Sequence, residues 1–198
     1  MKMISPGPLP PPRLEGEISL EKAIQLRCSV RSFQSQSLDA TLIGQILWAA
    51  QGIRGSSGYR NAPSAGARYP LELYVLTAEA IFHYHVGNHS LEITRAGDHR
   101  AALMQAALDQ EFILQAPVTI VIAAVPERTV NRYGKERSPR YIYLEVGHAA
   151  QNLMLQAAAL GLGTVPVGAY NDEAVTQILA LSGNTIPLYI LPIGYPAE

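Results

Sequence analysis

The alternation of apolar and polar residues is most regular in residues 141–160, which read YIYLEVGHAAQNLMLQAAAL. Polar residues recur there at three- and four-residue intervals and fall on one narrow stripe of a helix: Glu145, His148, Asn152 and Gln156. Because nearly all of the remaining helix surface is apolar, the pattern predicts a long central helix that is buried by other elements or by a second subunit. Gly161 is the expected end of this helix.

Shorter elements are predicted on both sides of the central helix. Residues 19–27 and 39–51 have helical periodicity, with Ser19 and Asp39 as N-caps and Gly52 as the end of the second helix. Two later helices are predicted over residues 98–110 and 172–181. Strands are predicted over residues 73–77, 118–125 and 188–193. The second of these is apolar on both faces, which indicates a strand in the middle of a covered sheet.

A β-hairpin is predicted around Gly87 and Asn88. Its apolar positions fall on one face: Phe82, Tyr84, Val86, Leu91 and Ile93. Its polar positions fall on the other face: His83, His85, Ser90 and Glu92. The two histidines and Glu92 are possible metal ligands, but nothing nearby in the sequence completes a tetrahedral set. We therefore favour a solvated face and expect no metal.

Two polar segments are predicted to be loops. Residues 52–70 are dense in Gly, Ser and Pro, and a connection of this length without secondary structure is typically functional. The small residues at positions 63–66 would let backbone groups approach a flat ligand closely. Residues 126–140 are rich in Lys and Arg. They are expected either to cover a pocket or to form an ordinary solvated loop.

The composition excludes several classes of function. The chain has 198 residues and a net charge of −1, which gives no support for binding nucleic acid or a charged membrane surface. Cys28 is the only cysteine, so no intramolecular disulfide can form, and we expect a cytoplasmic protein. The proline-rich residues 1–17 are expected to form an extended arm, and residues 18–198 a single domain. Neither a dinucleotide-binding, a Walker nor a hydrolase motif is present.

A cluster of polar residues follows the first predicted helix. Arg27 and Arg31 lie four residues apart with Ser29 between them, and two guanidinium groups with a hydroxyl can hold a phosphate. Arginines near a helix end are also common on ordinary surfaces, so both interpretations stay open. Since no Lys or Arg follows Arg140, a ligand phosphate would have to be bound by the first 140 residues or by backbone amides.

Four motifs in this order resemble the nitroreductase superfamily, and more narrowly its SagB-type dehydrogenase branch. They are RCSVRSF, PSAGARYPLELYV, the segment YIYLEVGHAAQNLMLQAAALGLGTVPVGAY and PLYILPIGYP, and the resemblance runs from about residue 19 to residue 196. It implies an α+β fold with a mixed central sheet flanked by helices and a long buried central helix. It also implies a homodimer with FMN bound at each of two sites in the interface, and NADH or NADPH as a transient electron donor.

The resemblance also implies roles for particular residues. The segment that contacts the FMN phosphate and ribityl chain corresponds to Arg27, Cys28 and Ser29, and Arg31 corresponds to the cation near the flavin N1 and O2 edge. The loop by which one subunit contacts the flavin of the other subunit corresponds to Pro63, Ser64, Ala65 and Gly66. The stretch that covers one flavin face and offers a backbone N–H to N5 or O4 corresponds to Pro166, Val167, Gly168 and Ala169.

Two departures from the family pattern affect the expected function. The basic residue that family members often bring from a C-terminal tail is missing, so Arg27 would carry more of the phosphate contact, helped by Lys135, Arg137 or Arg140. Azoline-oxidising relatives have a Lys-Tyr pair where this chain has Arg132 and Tyr133. Arginine is not deprotonated in proteins, so Tyr133 is the remaining candidate for proton transfer.

The resulting hypothesis is an FMN-dependent oxidoreductase that passes hydride from NADH or NADPH through flavin N5 to an electron-poor nitro or quinone acceptor. One alternative is a SagB-type dehydrogenase that oxidises azolines in a peptide substrate. Another is a flavin carrier or sensor without catalytic activity, and a further one is a related dimer that has lost FMN.

Overall fold

We describe a computed structural model of the chain, which covers residues 4–197. Seven strands form one sheet: β1 (Gly7–Pro8), β2 (Leu71–Leu76), β3 (Ala80–His85), β4 (Ser90–Ala96), β5 (Val118–Ala124), β6 (Gly163–Thr164) and β7 (Ile186–Gly194). Their spatial order is β1-β4-β3-β2-β5-β7-β6, and neighbouring strands are antiparallel. One parallel bridge, between Ser29 and Thr164, adds a further segment at the β6 edge.

Six helices cover the two faces of the sheet: α1 (Leu20–Leu26), α2 (Ala40–Gln51), α3 (Arg100–Ala106), α4 (Phe112–Gln115), α5 (Glu127–Ala159) and α6 (Asp172–Ile178). On one face, apolar side chains of α2 and α5 pack against the sheet, and Leu47 and Leu153 are fully buried there. On the other face, α3, α4 and α6 form a second apolar cluster around Val121. The sheet is therefore the middle of three layers, and the predicted α+β architecture with a long, partly buried central helix is confirmed.

The predictions that rested on local signals are confirmed. Ser19 caps α1 by accepting a hydrogen bond from the Lys22 amide, and Asp39 caps α2 through the amides of Thr41 and Leu42. The apolar run at residues 118–125 is β5, which lies between β2 and β7 and is buried along its whole length. Strands β2 and β7 cover the other two predicted strand regions, with slightly different limits.

The prediction of a loop over residues 126–140 is wrong, because this segment is the first part of α5. Gly134 has non-helical backbone angles (φ 74°, ψ 166°) and divides the helix into two pieces. This region of backbone space is essentially restricted to glycine. The buried side chains of Thr129 and Ser138 and a salt bridge from Arg128 to Glu72 anchor the first piece to the domain. These long-range contacts outweigh the loop-like composition.

The predicted helix over residues 98–110 is too long. It ends at Ala106, and Leu108 and Asp109 have positive φ angles, so the chain turns before the short helix α4 begins. The last helix, α6, is also shorter than predicted at its C-terminal end, and its N-cap is Asn171. The end of a short helix depends on what the next segment packs against, which the local pattern does not contain.

The hairpin is formed by β3 and β4 around the turn Val86–Asn88. The histidines on its polar face pair with carboxylates: His83 Nε2 lies 2.6 Å from Glu72 Oε2, and His85 Nε2 lies 2.6 Å from Glu92 Oε2. Across residues 4–197, no three His, Cys, Asp or Glu side chains are grouped as metal ligands. The polar face therefore carries two hydrogen-bonded histidine–carboxylate pairs.

The N-terminal segment is attached to the sheet within the part of the chain that the structure describes. Strand β1 pairs with β4, and Leu9 is buried in the main core. Residues 1–3 of the predicted arm and residue 198 of the predicted domain lie outside the described residues, and the division between arm and domain stays a prediction. Among the described helices, none combines the length and the apolar composition needed to cross a membrane.

Candidate functional site

The segment that carries Arg27 and Arg31 lies against β6 at the edge of the sheet. Ser29 forms a parallel bridge with Thr164, and the Val30 amide donates to the Thr164 carbonyl at 3.1 Å. The two backbones come this close because Gly163 has no side chain. A Cβ added there would lie 2.6 Å from Val30 Cβ. The fold thus places the predicted phosphate-binding segment beside β6.

The side chains at this edge suit an anionic group. Arg27 is half-buried, whereas Ser29 and Arg31 are exposed, and neither arginine forms a salt bridge within residues 4–197. The Arg31 guanidinium lies 6.0 Å from the centroid of the Phe112 ring, at the outer limit of a cation–π contact. The hydroxyl of Thr164 is buried and has no hydrogen-bond partner. Buried polar atoms are normally paired, so an acceptor or donor is expected here.

The segment 166–169 begins two residues after β6. Val167 is buried, and its backbone pairs with Ile190: its amide donates to the Ile190 carbonyl at 2.8 Å, and the Ile190 amide donates back at 3.0 Å. Gly168 and Ala169 are exposed. The Val167 amide is therefore occupied by β7, and the amides of Gly168 and Ala169 are the ones that this segment can offer to a ligand.

The loop at residues 63–66 contacts the first piece of α5. Ala65–Ala67 form a single 3₁₀ turn in which Gly66 has a φ of 59°. A Cβ added to Gly66 would lie 2.6 Å from the Tyr133 hydroxyl and 2.9 Å from Arg132 Nε, so glycine allows these side chains to reach the loop backbone. The structure thus brings together the predicted flavin-contacting loop and the predicted proton-transfer residue.

A buried carboxylate, Glu145, lies beneath this loop. Its side chain is 3% exposed, and its Oε1 has no hydrogen-bond partner. Burial raises the pKa of Glu145 to about 7, although a hydrogen bond with Ser64 and the charge of Arg60 act in the opposite direction. In the sequence, Glu145 lies on the predicted polar stripe of the central helix, and its burial was not predicted. The sequence signal for this burial is that Glu145 is a single carboxylate among the apolar residues of the helix.

Arg60 holds the inner end of the same loop. Its Nη1 donates to Gln51 Oε1 at 2.7 Å and to the Leu71 carbonyl at 3.3 Å, and its guanidinium lies 4.8 Å from the centroid of the Tyr69 ring. Burial lowers the pKa of Arg60, and the nearby carboxylate of Glu72 opposes that shift. The loop is therefore tied to α2, to β2 and to α5, although its composition is that of a flexible connection.

The predicted site residues form two groups in one chain. The first joins residues 27–31 to residues 163–169 along β6, and the second joins residues 63–66 to Arg132 and Tyr133. No hydrogen bond between described residues connects the two groups. Residues Lys135, Arg137 and Arg140, which were expected to help with a phosphate, are exposed on α5. Thr164, Glu145 and Arg60 are the residues that the sequence analysis missed.

The sheet and its helices form a three-layer α+β domain. The segment along the β6 edge carries arginines and a hydroxyl group, so this edge can hold an anionic cofactor. The sequence profile of the nitroreductase family matches residues 24–195, and the chain belongs to this family of oxidoreductases. The resemblance inferred from the four motifs is thereby confirmed at the level of the family.

Individual relatives agree with this assignment. A nitroreductase homologue of Methanocaldococcus jannaschii is 42% identical over 190 residues, which cover 92% of this chain and 93% of the relative. The crystal structure of a nitroreductase homologue from Ralstonia eutropha JMP134 superposes with a TM-score of 0.87 at 28% identity, covering 100% of this chain and 97% of that one. The trifolitoxin-processing protein TfxB of Rhizobium leguminosarum bv. trifolii is 30% identical over 129 residues, or 60% of this chain and 35% of the relative.

Proposed function

We propose that this protein is an FMN-dependent oxidoreductase that takes hydride from NADH or NADPH and delivers it to an electron-poor acceptor of the nitro or quinone type. The observation that carries the proposal is the group at β6. Arg27, Arg31 and the Ser29 hydroxyl lie on the segment that pairs with β6, and neither arginine forms a salt bridge within residues 4–197. The buried Thr164 hydroxyl is unpaired among these residues, and the exposed residues 168 and 169 follow β6 along the chain. FMN, when bound, supplies the chemistry of hydride transfer at its N5 atom.

Each residue of this group has a separate proposed role. Arg27, Ser29 and Thr164 would hold the phosphate and ribityl chain through charge-assisted and neutral hydrogen bonds. Arg31 would place a positive charge near the flavin N1 and O2 edge, where it stabilises negative charge on the reduced ring. Gly168 and Ala169 would lie against one face of the ring and donate a backbone hydrogen bond. Tyr133 would donate a proton to the acceptor.

A homodimer would complete each site, because the loop at residues 63–66 is part of a separate group within one chain. Large apolar side chains are exposed on two helices that contact each other: Leu20, Ile24 and Leu26 on α1, and Tyr143 and Leu144 on α5. Exposed apolar patches on adjacent elements mark interaction surfaces. We expect light scattering to give twice the mass of the chain. A monomer that melts cooperatively would contradict this expectation.

The visible absorbance spectrum of the purified protein tests the proposed function. It would be recorded before and after addition of FMN, and then of NADH or NADPH without oxygen. Flavin bands that lose intensity with a donor are the expected result. Bands that persist with both donors would contradict transfer from a nicotinamide. An absence of bands after incubation with FMN and removal of the unbound FMN would contradict cofactor binding.

Gly168→Ala tests the contact with the ring. An added Cβ meets no atom within 4 Å in the chain itself, so the melting temperature should not change. If the flavin ring packs on Gly168, the methyl group must displace it, and we expect FMN binding to weaken by about 1–3 kcal/mol, the range for inserting a methyl group into a well-packed contact. Fluorescence titration measures the affinity. Unchanged FMN affinity would place the ring elsewhere.

The alternative is a SagB-type dehydrogenase that acts on azolines in a peptide. The similarity to the trifolitoxin-processing protein supports it. The position that resembles the Lys-Tyr pair of azoline-oxidising relatives holds Arg132 and Tyr133, and this opposes it because arginine does not act as a base. Persistent flavin bands with both nicotinamide donors, together with bleaching by an azoline peptide, would favour the alternative.

A further inference from the structure

A second polar feature lies outside the β6 group. An open groove of about 740 Å³ runs between the loop that ends at Tyr69, the hairpin of β3 and β4 and the start of α5. Three arginines line the groove: Arg60 and Arg68 from the loop, and Arg128 from α5. Glu72 is the only carboxylate in the lining. The volume of the groove lies within the usual range for small-molecule sites.

The single carboxylate of the groove is fully engaged. Glu72 Oε1 pairs with Arg128 Nη2 at 2.5 Å, and Glu72 Oε2 pairs with His83 Nε2 at 2.6 Å. Arg60 donates only to neutral acceptors, the Gln51 amide oxygen and the Leu71 carbonyl. The lining contains three arginines and one glutamate, and Glu92 pairs with His85, which also lines the groove. Arginine therefore predominates among the charged side chains of the lining.

Arg68 is the arginine that can reach a ligand. It is exposed, and within residues 4–197 its side chain forms no hydrogen bond or salt bridge. Its backbone amide closes the 3₁₀ turn by donating to the Ala65 carbonyl at 3.3 Å. Arg68 lines the groove and belongs to the same turn as Gly66. A ligand that lies along the groove can therefore extend to the loop at residues 63–66.

We propose that this groove binds the phosphate groups of an extended ligand, with Arg68 as the principal contact. Guanidinium groups bind phosphate oxygens through paired N–H donors. The phosphate belongs either to the nicotinamide donor or to the acceptor substrate. This assignment to a redox partner rests on the proposed function, whereas phosphate binding in the groove does not.

Calorimetric titration with inorganic pyrophosphate tests the proposal. The FMN-treated full chain would be compared with Arg68→Gln and with Arg54→Gln, which removes an exposed arginine of the same loop that does not line the groove. We expect Arg68→Gln to weaken pyrophosphate binding about tenfold, since one charge-assisted hydrogen bond is lost. Arg54→Gln should leave it unchanged. Binding should also weaken at high salt, because the groove is open.

Equal pyrophosphate affinity in the two variants would overturn the proposal. The titration is repeated in an Arg27→Gln background, so that binding at the β6 group does not mask the result. Displacement of pyrophosphate by NADH or NADPH would identify the donor as the source of the phosphate, and retention would exclude the donor; both results support a phosphate site. Arg68-dependent pyrophosphate binding in a protein that shows no flavin bands would contradict the proposed function and leave the groove assignment standing.

Discussion

Arg27→Ala is expected to weaken FMN binding by about 1.5–3 kcal/mol, which is roughly a 10- to 150-fold higher Kd. Arg27 is half-buried and lines the same cavity as Thr164, and it forms no salt bridge within residues 4–197. Its loss would therefore remove the principal cation from the phosphate. Flavin fluorescence measures the Kd during titration of the purified protein.

The matched control for Arg27 is Arg54→Ala. Both variants remove one arginine, but Arg54 is exposed in the loop after α2 and is remote in sequence from the β6 group. FMN affinity should be unchanged in this control. If Arg27→Ala binds FMN as tightly as the control does, the phosphate is held by other residues and the proposed role of the β6 group is wrong.

Glu145→Gln is expected to change the pH dependence of stability. Burial raises the pKa of Glu145 in the folded protein to about 7, above its ordinary value of 4.5. The protonated carboxyl is therefore favoured by folding, and its contribution is fully present below the unfolded-state pKa. That contribution is lost as the pH rises through about 7, by up to about 3 kcal/mol for a difference of this size. Glutamine stays neutral, so the variant should gain stability relative to the wild type between pH 5 and pH 8.

Urea unfolding at several pH values between 5 and 8 measures this difference. Glu136→Gln is the matched control, because Glu136 is an exposed carboxylate on the same helix. The control should unfold with the pH dependence of the wild type. An identical pH dependence for Glu145→Gln and Glu136→Gln would show that Glu145 is ionised in the folded protein at neutral pH.

The predictions for Arg27 and Glu145 test two different parts of the protein. Arg27 tests whether the sheet edge at β6 holds a cofactor, and Glu145 tests whether the loop at residues 63–66 lies over a neutral carboxyl. Because Ser64 and Glu145 interact, ionisation of Glu145 would place a buried negative charge beneath this loop, near the positive charge of Arg60. The loop conformation and the protonation of Glu145 are therefore expected to be coupled.

Features with local physical causes could be predicted from the sequence. The caps of α1 and α2 depend on side chains within the first turn of each helix, and the identity of β5 depends on a run of β-branched residues. The motifs around Arg27 and Gly168 were also sufficient to indicate the family and the segments of the candidate site. The structure places the first segment beside β6 and the second directly after β6, where Val167 pairs with Ile190 of β7.

Features with long-range causes could not be predicted in this way. Gly134 and Pro139 give residues 126–140 the composition of a loop, yet the segment is helical because Arg128 and the buried Thr129 attach it to the domain. The groove has the same origin. It exists because the loop, the hairpin and α5 meet, and Arg128 on α5 is far in sequence from Arg60 and Arg68 on the loop.

By itself, the sequence determined the elements whose caps and periodicity are complete within a few residues, and it determined the family through motifs that are each contiguous. Only the tertiary structure decided that Glu145 is buried, that the Thr164 hydroxyl lacks a partner and that the amide of Val167 is occupied by Ile190. The physical reason is that burial and hydrogen-bond pairing depend on which distant segments pack together, and a local pattern of side chains does not specify that packing.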